Sequence, residues 1–236
     1  MASPSGYDPR AFPPVAVTVD IAVFTVEDDV LKVALIERGQ EPHAGRLALP
    51  GGFIRPDEDL HEAAVRELHE ETGLEAHGHL QQFGAYGAPD RDPRMRIVSI
   101  GFWAIVPRLE APTAGTDAAA AQTAPVDEIL ANPDGLAFDH HEILRDALEH
   151  ARDALEETTV AADFCDEEFA ISDLRKVYEA VWGTTLDQGN FQNKVLEIEG
   201  FVEPTGRRRS GGQGRPPELF RAGPARRIDP PIRRQR

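Results

Sequence analysis

The sequence predicts an α/β protein: a mixed-sheet domain followed by a smaller, mostly helical C-terminal unit. Three observations carry this. Two β-branched runs, "VAVTVDIAVFTV" (15–26) and "VLKVALIER" (30–38), are separated by a short acidic turn, the pattern of a hairpin. A capped helical segment lies between that hairpin and a third strand, "MRIVSIGFWAIVP" (95–107), stopped by Pro107. From residue 138 onward the apolar residues follow a helical period.

The elements follow in order. Asp59 followed by Glu62 has the spacing of a capping box, residues 60–71 contain no Gly or Pro, and Gly73 sits where a C-cap glycine belongs. The Ala/Thr/Pro-rich stretch "APTAGTDAAAAQTAP" (111–125) reads as a loop at a domain edge. In "FDHHEILRDALEHARDALEE" (138–157), Ile143, Leu144, Ala147, Leu148, Ala151, Ala154 and Leu155 keep the 3.6 period, giving a long connecting helix. His140 and His141 read as its start rather than as a site. "ISDLRKVYEAVWG" (171–183) has Ser172 as N-cap candidate and Gly183 as stop. "LDQGNFQNKVLEIEG" (186–200) is a second short helix, and "FVEPT" and "PPELFRA" are strands around a Gly/Arg-rich tip. The expected boundaries are a disordered lead-in (1–13), the α/β domain (14–137), the connecting helix (138–160), the C-terminal unit (161–225) and a basic tail (226–236).

Composition limits the function classes. The chain has 236 residues and a 41% hydrophobic fraction, enough for one sizeable domain and a small one. No apolar run approaches the roughly 18 residues of a membrane span, and the N-terminus lacks a secretory pattern, so the expectation is a cytoplasmic protein with no membrane partner. A single cysteine, Cys165, stands among acidic neighbours that raise its pKa. The net charge of −16 is unevenly spread: residues 206–236 hold ten arginines against Glu218 and Asp229, leaving −24 on the other 205. An acidic body with a basic end suggests two jobs, although a solvated tail has the same composition.

The densest charge is in "LPGGFIRPDEDLHEAAVRELHEETGLE" (49–75), with eight carboxylates in 27 positions. On a helix, Glu67, Glu70 and Glu71 are related by i, i+3 and i, i+4 and share an arc of roughly 100°. Like charges so placed each cost a few tenths, roughly 0.2–0.5 kcal/mol. Solvation, ion pairing or a cation can offset that cost; the plain alternative is a wet face with Arg66 bridging Glu62 and Glu70. The wider spacing decides: Gly52, five residues, Glu58, seven residues, Arg66-Glu67-Leu68, one residue, Glu70-Glu71, one residue, Gly73-Leu74. It resembles the Nudix box at every fixed position, and residues 14–110 are similar to a Nudix domain. The resemblance implies an α/β/α sandwich with a mixed sheet, and a hydrolase acting on a diphosphate linkage with Mg²⁺ (or Mn²⁺). Glu67 and Glu71 would be its principal ligands, with Glu70 a ligand or the base. Glu58 would join through water, Arg66 would orient a carboxylate, and Gly51 and Gly52 would let backbone approach the metal. For substrate contacts, the "DRDPR" turn offers Arg91, Arg94 and Arg96, with Arg46 a further candidate; Phe53 is a stacking candidate. His61 and His69 read as exposed.

Two helices followed by a hairpin with a basic tip resemble a winged helix-turn-helix. That would present Gln192, Asn193 and Lys194 (with Gln188 and Asn190 on the same helix) to base edges and phosphates, and Arg207, Arg208, Arg209 and Arg215 to the DNA backbone. A Nudix domain joined to such a module, together with "LPGGF", "RDPR", "FDH", "LRKVYEAVWG", "NFQNKV" and "GRPPELFR", is similar to the Nudix-related transcriptional regulators over roughly residues 15–225. That group represses NAD-metabolism genes in response to ADP-ribose and binds palindromic operators as a homodimer. Members often have a degraded Nudix box; this box is complete. The expected function is therefore a DNA-binding regulator that binds ADP-ribose, or a related nucleoside diphosphate, and hydrolyses it to AMP and ribose 5-phosphate. A pyrophosphatase alone, with the winged helix serving dimerisation, is the alternative, and a sensor without turnover stands third.

Overall fold

The computed structural model describes residues 8, 11–73, 79–106, 118–210 and 216–234. Most of the expected lead-in, Leu74, Pro107, the first part of the 111–125 stretch and Arg215 lie outside these residues.

The central strand β1 (Ala16–Glu27) explains its own apolar run. Val19, Ile21 and Val23 pack on one side with Ala63, Ala64 and Leu68 of α1 (Leu60–Thr72). Ala22 and Phe24 pack on the other with Ile143, Leu144 and Ala147 of the last long helix before the C-terminal unit. A strand covered on both faces has no solvent side to carry polar alternation. β1 runs antiparallel to β2 (Val30–Arg38) through a turn in which Asp28 (φ 52°) and Asp29 (φ 64°) are both left-handed, the geometry that matches strand twist. It also runs parallel to β6 (Ile97–Ile105), pairing Ala16 with Ile97 through Phe24 with Ile105, so the sheet is mixed. With β3 (Leu47–Ala48) and β5 (His79–Tyr86) the order is β3-β2-β1-β6-β5; β4 (Gly51–Phe53) pairs with β1 and β7 (Ala118–Pro125) with β2.

Helix α1 forms as its sequence dictates. The Asp59 side chain caps the first turn, the Glu62 carboxylate returns to the Asp59 N–H at 2.8 Å, and Gly73 (φ 70°) donates to His69 O at 2.9 Å. Burial of Leu68 anchors the helix; truncating a fully buried leucine typically costs about 2–5 kcal/mol.

Two expectations need correction. The expected loop at 111–125 is a strand from Ala118 on, paired with β2 from Lys32 opposite Pro125 to Arg38 opposite Ala118. Alanine is a weak strand former, and here an otherwise open sheet edge overrides local preference. The N-cap of the first C-terminal helix is Ala170 rather than Ser172, because the Asp173 carboxylate accepts the Ala170 N–H at 2.9 Å and closes the turn two residues earlier than a serine cap at 172 would.

After α2 (Val126–Leu130), α3 (His140–Glu157) covers the second face of the sheet, completing an α/β/α sandwich. Its far end carries the C-terminal unit: Arg152 Nε donates to Val181 O (2.8 Å), Trp182 Nε1 to Arg152 O (3.1 Å) and Tyr178 O–H to Leu155 O (3.0 Å). One apolar cluster runs through both units. Beyond a 3-10 turn (Thr159–Phe164), that unit consists of α4 (Ile171–Trp182), α5 (Gln188–Glu197) and the hairpin β8 (Val202–Arg208) with β9 (Glu218–Ala222). Phe169 and Phe220 exchange backbone hydrogen bonds (2.9 and 2.8 Å) and tie the hairpin to the segment before α4. The arrangement is a winged helix. Residues 226–234 are docked rather than solvated: Ile228 and Ile232 are buried, and Arg233 and Arg234 pair with Glu156 (2.8 Å) and Glu149 (3.0 Å) of α3. No described helix is long and apolar enough to cross a membrane.

Candidate functional site

One cavity of about 560 Å³ collects most of the expected residues. Gly52, Phe53, Arg66, Glu67, Glu70 and Glu71 all line it, as do Arg91 and Arg94. The arrangement starts with the α1 spacing, which sends the three glutamates to one face. Arg66 threads between them: its Nε donates to Glu58 (2.8 Å), and Nη1 donates to Glu67 (2.6 Å) and Glu70 (3.0 Å). The expected alternative, Arg66 bridging Glu62 and Glu70, is half replaced, because Glu62 caps the helix instead. Glu70 is held a second time by Arg55 at 3.1 Å. Glu71 accepts the Gly51 N–H at 2.8 Å. The strand carrying Gly52 lies so close to α1 that a Cβ there would come within 2.5 Å of Glu67 Oε1, so a side chain at this position would displace the Glu67 carboxylate. His61 and His69 are exposed.

The electrostatics divide the acids. Hydrogen bonds from Arg66 hold the Glu58 carboxyl at about 2. For Glu70, burial is outweighed by hydrogen bonds from Arg66 and Arg55, and the carboxyl sits below its ordinary value. Burial raises Glu67 despite Arg66. Burial, with the Glu67 and Asp20 charges, pushes Glu71 up to about 8 against the Gly51 N–H. Such crowding of hard oxygen donors fits a divalent cation such as Mg²⁺ or Mn²⁺ in donor type. Among the described residues no three carboxylate, imidazole or thiolate groups already converge as ligands; the guanidinium of Arg66 is bonded to three of the carboxylates, Glu58, Glu67 and Glu70.

The cavity floor was not legible from sequence. Asp20, 6% exposed, accepts from Ser99 Oγ and from Arg91 (3.3 Å), and faces His140 Nε2 at 3.5 Å. Arg91 also forms a two-point pair with Asp139 (2.8 and 2.6 Å). Arg91 thus meets the cavity as a buried cation whose Nε and Nη2 donors are committed to Asp139 and Asp20. His140 Nδ1 accepts the Leu49 N–H at 2.9 Å, which leaves the proton on Nε2; burial lowers its pKa against the Asp20 and Asp139 charges. His140 is therefore both a helix start and part of the cavity. Asp20 carried one signal, a lone carboxylate inside the run "VTVDIAV".

The cavity rim is aromatic and cationic. Arg94 pairs with Asp92 (2.7 Å) and lies 5.6 Å from the Phe53 ring centroid and 5.8 Å from that of Phe138. Arg38 lies 4.7 Å from the Phe138 centroid. Arg46 does not line the cavity; its carbonyl accepts the Arg38 N–H at 2.9 Å. Arg96 points its Nη1 at Ala88 O (3.1 Å).

The second candidate region is the winged helix. Phe191 and Val195 bury one face of α5, Phe191 against Tyr178 at 5.1 Å, and Gln192, Asn193 and Lys194 stand exposed on the other. At the wing, Arg207 pairs with Glu168 (2.9 Å), Arg208 Nη1 donates to Pro216 O (3.1 Å) and Arg209 pairs with Asp173. Cys165 is half-buried, and burial, with Asp173, Asp166 and Asp163, raises its thiol pKa.

Comparison with known proteins assigns both regions. Residues 16–147 match the NUDIX domain. The chain belongs to the Nudix family. Residues 161–222 match the NrtR DNA-binding winged helix domain. The chain is 29% identical to the ADPR responsive transcriptional repressor NtrR of Acinetobacter baylyi, across 91% of this chain and 85% of that one. It is 40% identical to an ADP-ribose pyrophosphatase of Methanocaldococcus jannaschii, over 53% of this chain and 71% of the relative. Its structure resembles Shewanella oneidensis NrtR crystallised with a 27mer DNA, at TM-score 0.79 and 28% identity, covering 92% of this chain and 99% of that one.

Proposed function

We propose that the chain is a DNA-binding transcriptional regulator of NAD metabolism that binds ADP-ribose and hydrolyses it to AMP and ribose 5-phosphate. The observation that carries this reading is a complete Nudix carboxylate helix facing a cavity of nucleotide size, in a chain whose α3 fuses that cavity to a winged helix. The names of the similar proteins support it at both ends, a repressor responsive to ADPR and a pyrophosphatase of ADP-ribose.

Glu67 and Glu71 would hold the cation, Mg²⁺ or Mn²⁺, with Glu70 as a further ligand or as the base that takes a proton from water. A bound divalent cation neutralises diphosphate charge and acidifies a bound water. Arg66 orients Glu67 and Glu58, and Gly52 keeps the backbone of β4 against Glu67. Phe53 and Arg94 form a stacking edge for the base or sugar. On the DNA side, α5 reads base edges with Gln192, Asn193 and Lys194 while the wing arginines meet phosphates, and a homodimer places two such units on a palindromic operator. One observation favours a second reading, a hydrolase whose winged helix serves only dimerisation: Arg207 and Arg209 are both spent on acids of their own domain.

Incubation with ADP-ribose and Mg²⁺ is expected to release AMP, and Glu67→Gln to abolish release. No AMP from cooperatively folded wild-type protein would remove the hydrolase half of the proposal.

A further inference from the structure

Among the described residues five arginines line the cavity, and four are committed to carboxylates: Arg55 to Glu70, Arg66 to Glu58, Glu67 and Glu70, Arg91 to Asp139 and Asp20, and Arg94 to Asp92. Arg38, the last residue of β2, forms no ion pair among the described residues. Its Nε donates to Pro42 O at 2.9 Å, and its guanidinium lies 4.7 Å from the centre of the Phe138 ring. These contacts fix the plane of the guanidinium without using a carboxylate. Burial and the charge of Arg94 both disfavour its cationic form, and the charges of Asp92, Glu71 and Asp20 offset this only in part, without an ion pair. A half-buried cation beside a second cation is unfavourable without an anion to meet it. Phe138 is itself held at φ 51°, a conformation a bulky side chain rarely adopts, and that backbone presents its ring to the cavity.

We propose that Arg38, braced by Phe138, is the anion-binding residue of the cavity and takes a phosphate oxygen of the diphosphate from an element other than the carboxylate helix. The inference rests on the nucleotide reading above and adds a specificity determinant to it. A guanidinium fork matches two oxygens of one phosphate, whereas a lysine would act only as a point charge. Sequence reading passed over Arg38, since nothing in "VALIERGQ" shows that this arginine is the one left unpaired.

The test is calorimetric binding to the full chain in chelator, which prevents turnover, with ADP-ribose, inorganic pyrophosphate and adenosine as probes. Arg38→Ala is expected to raise the Kd for ADP-ribose and for pyrophosphate about tenfold or more, the loss of a charge-assisted hydrogen bond, and to leave adenosine binding unchanged. Arg38→Lys recovers part of the loss, and Arg145→Ala, an exposed arginine of α3 outside the cavity, keeps wild-type affinity. If Arg38→Ala does not melt cooperatively, Arg38→Lys decides: a severalfold loss supports the role, and none overturns it. Wild-type affinity for ADP-ribose in folded Arg38→Ala overturns the proposal while leaving the nucleotide reading intact. A wild-type chain that binds pyrophosphate but not ADP-ribose removes the substrate reading and leaves Arg38 judged by pyrophosphate alone. A wild-type chain that binds neither overturns both.

Discussion

Arg91 would strand two buried carboxylates if it were removed, because its own side chain is 4% exposed and those of Asp20 and Asp139 are 8% and 19% exposed. Breaking such a pair costs about 3–5 kcal/mol. Arg91→Ala is therefore expected to lower the unfolding free energy by about that amount, read from urea denaturation. A loss below about 1 kcal/mol would mean that the arginine is free for ligand after all. His140 gives a pH signature. Its folded-state pKa is depressed by burial, so below the ordinary value of about 6.5 the unfolded chain binds more protons than the folded one. Stability is fully present above that value and falls as pH drops toward the depressed folded pKa. His140→Gln, which keeps an acceptor for Leu49 N–H, is expected to flatten this fall in thermal melts below about pH 6.5. At this scale the sequence showed the carboxylates and missed their setting. Glu67, Glu70 and Glu71 are legible because one helix fixes their spacing. Asp20, Arg38, Phe138 and His140 come from β1, β2 and the start of α3, and only the closed sheet brings them together.

Elements were legible where their signals are local. Helix α1 was readable from Asp59, Glu62 and Gly73, and the structure uses each as expected. Losing the cap tests this: Asp59→Ala is expected to cost about 1 kcal/mol, measured by chemical denaturation, while an unchanged midpoint would mean that packing of Leu68 alone holds the helix. The strand β7 was not legible, since "AAAAQTAP" has no β-branched run and its conformation is imposed by β2. β5 likewise gave no strand signal, being broken by Gly84, where its register with β6 shifts. The docked C-terminal segment is a third case. Its arginines look like a solvated tail in composition, but Ile228 and Ile232 supply the apolar anchors, and the acidic end of α3 supplies the partners.

The whole molecule joins an acidic cavity to a basic wing through one continuous apolar core, and the proposed coupling of ADP-ribose to DNA has to run through that packing. The charge asymmetry of the sequence pointed toward two jobs, and the structure partly neutralises it, with Arg207 and Arg209 paired to Glu168 and Asp173. DNA phosphates must compete with those acids, so binding is expected to weaken steeply with salt. The most direct measurement is a gel shift of the full chain with DNA from upstream of NAD-metabolism genes, run at low salt with and without ADP-ribose. The account predicts a complex that ADP-ribose dissolves and that Arg207→Ala/Arg208→Ala/Arg209→Ala weakens. No complex at low salt, or a complex indifferent to ADP-ribose, would contradict it.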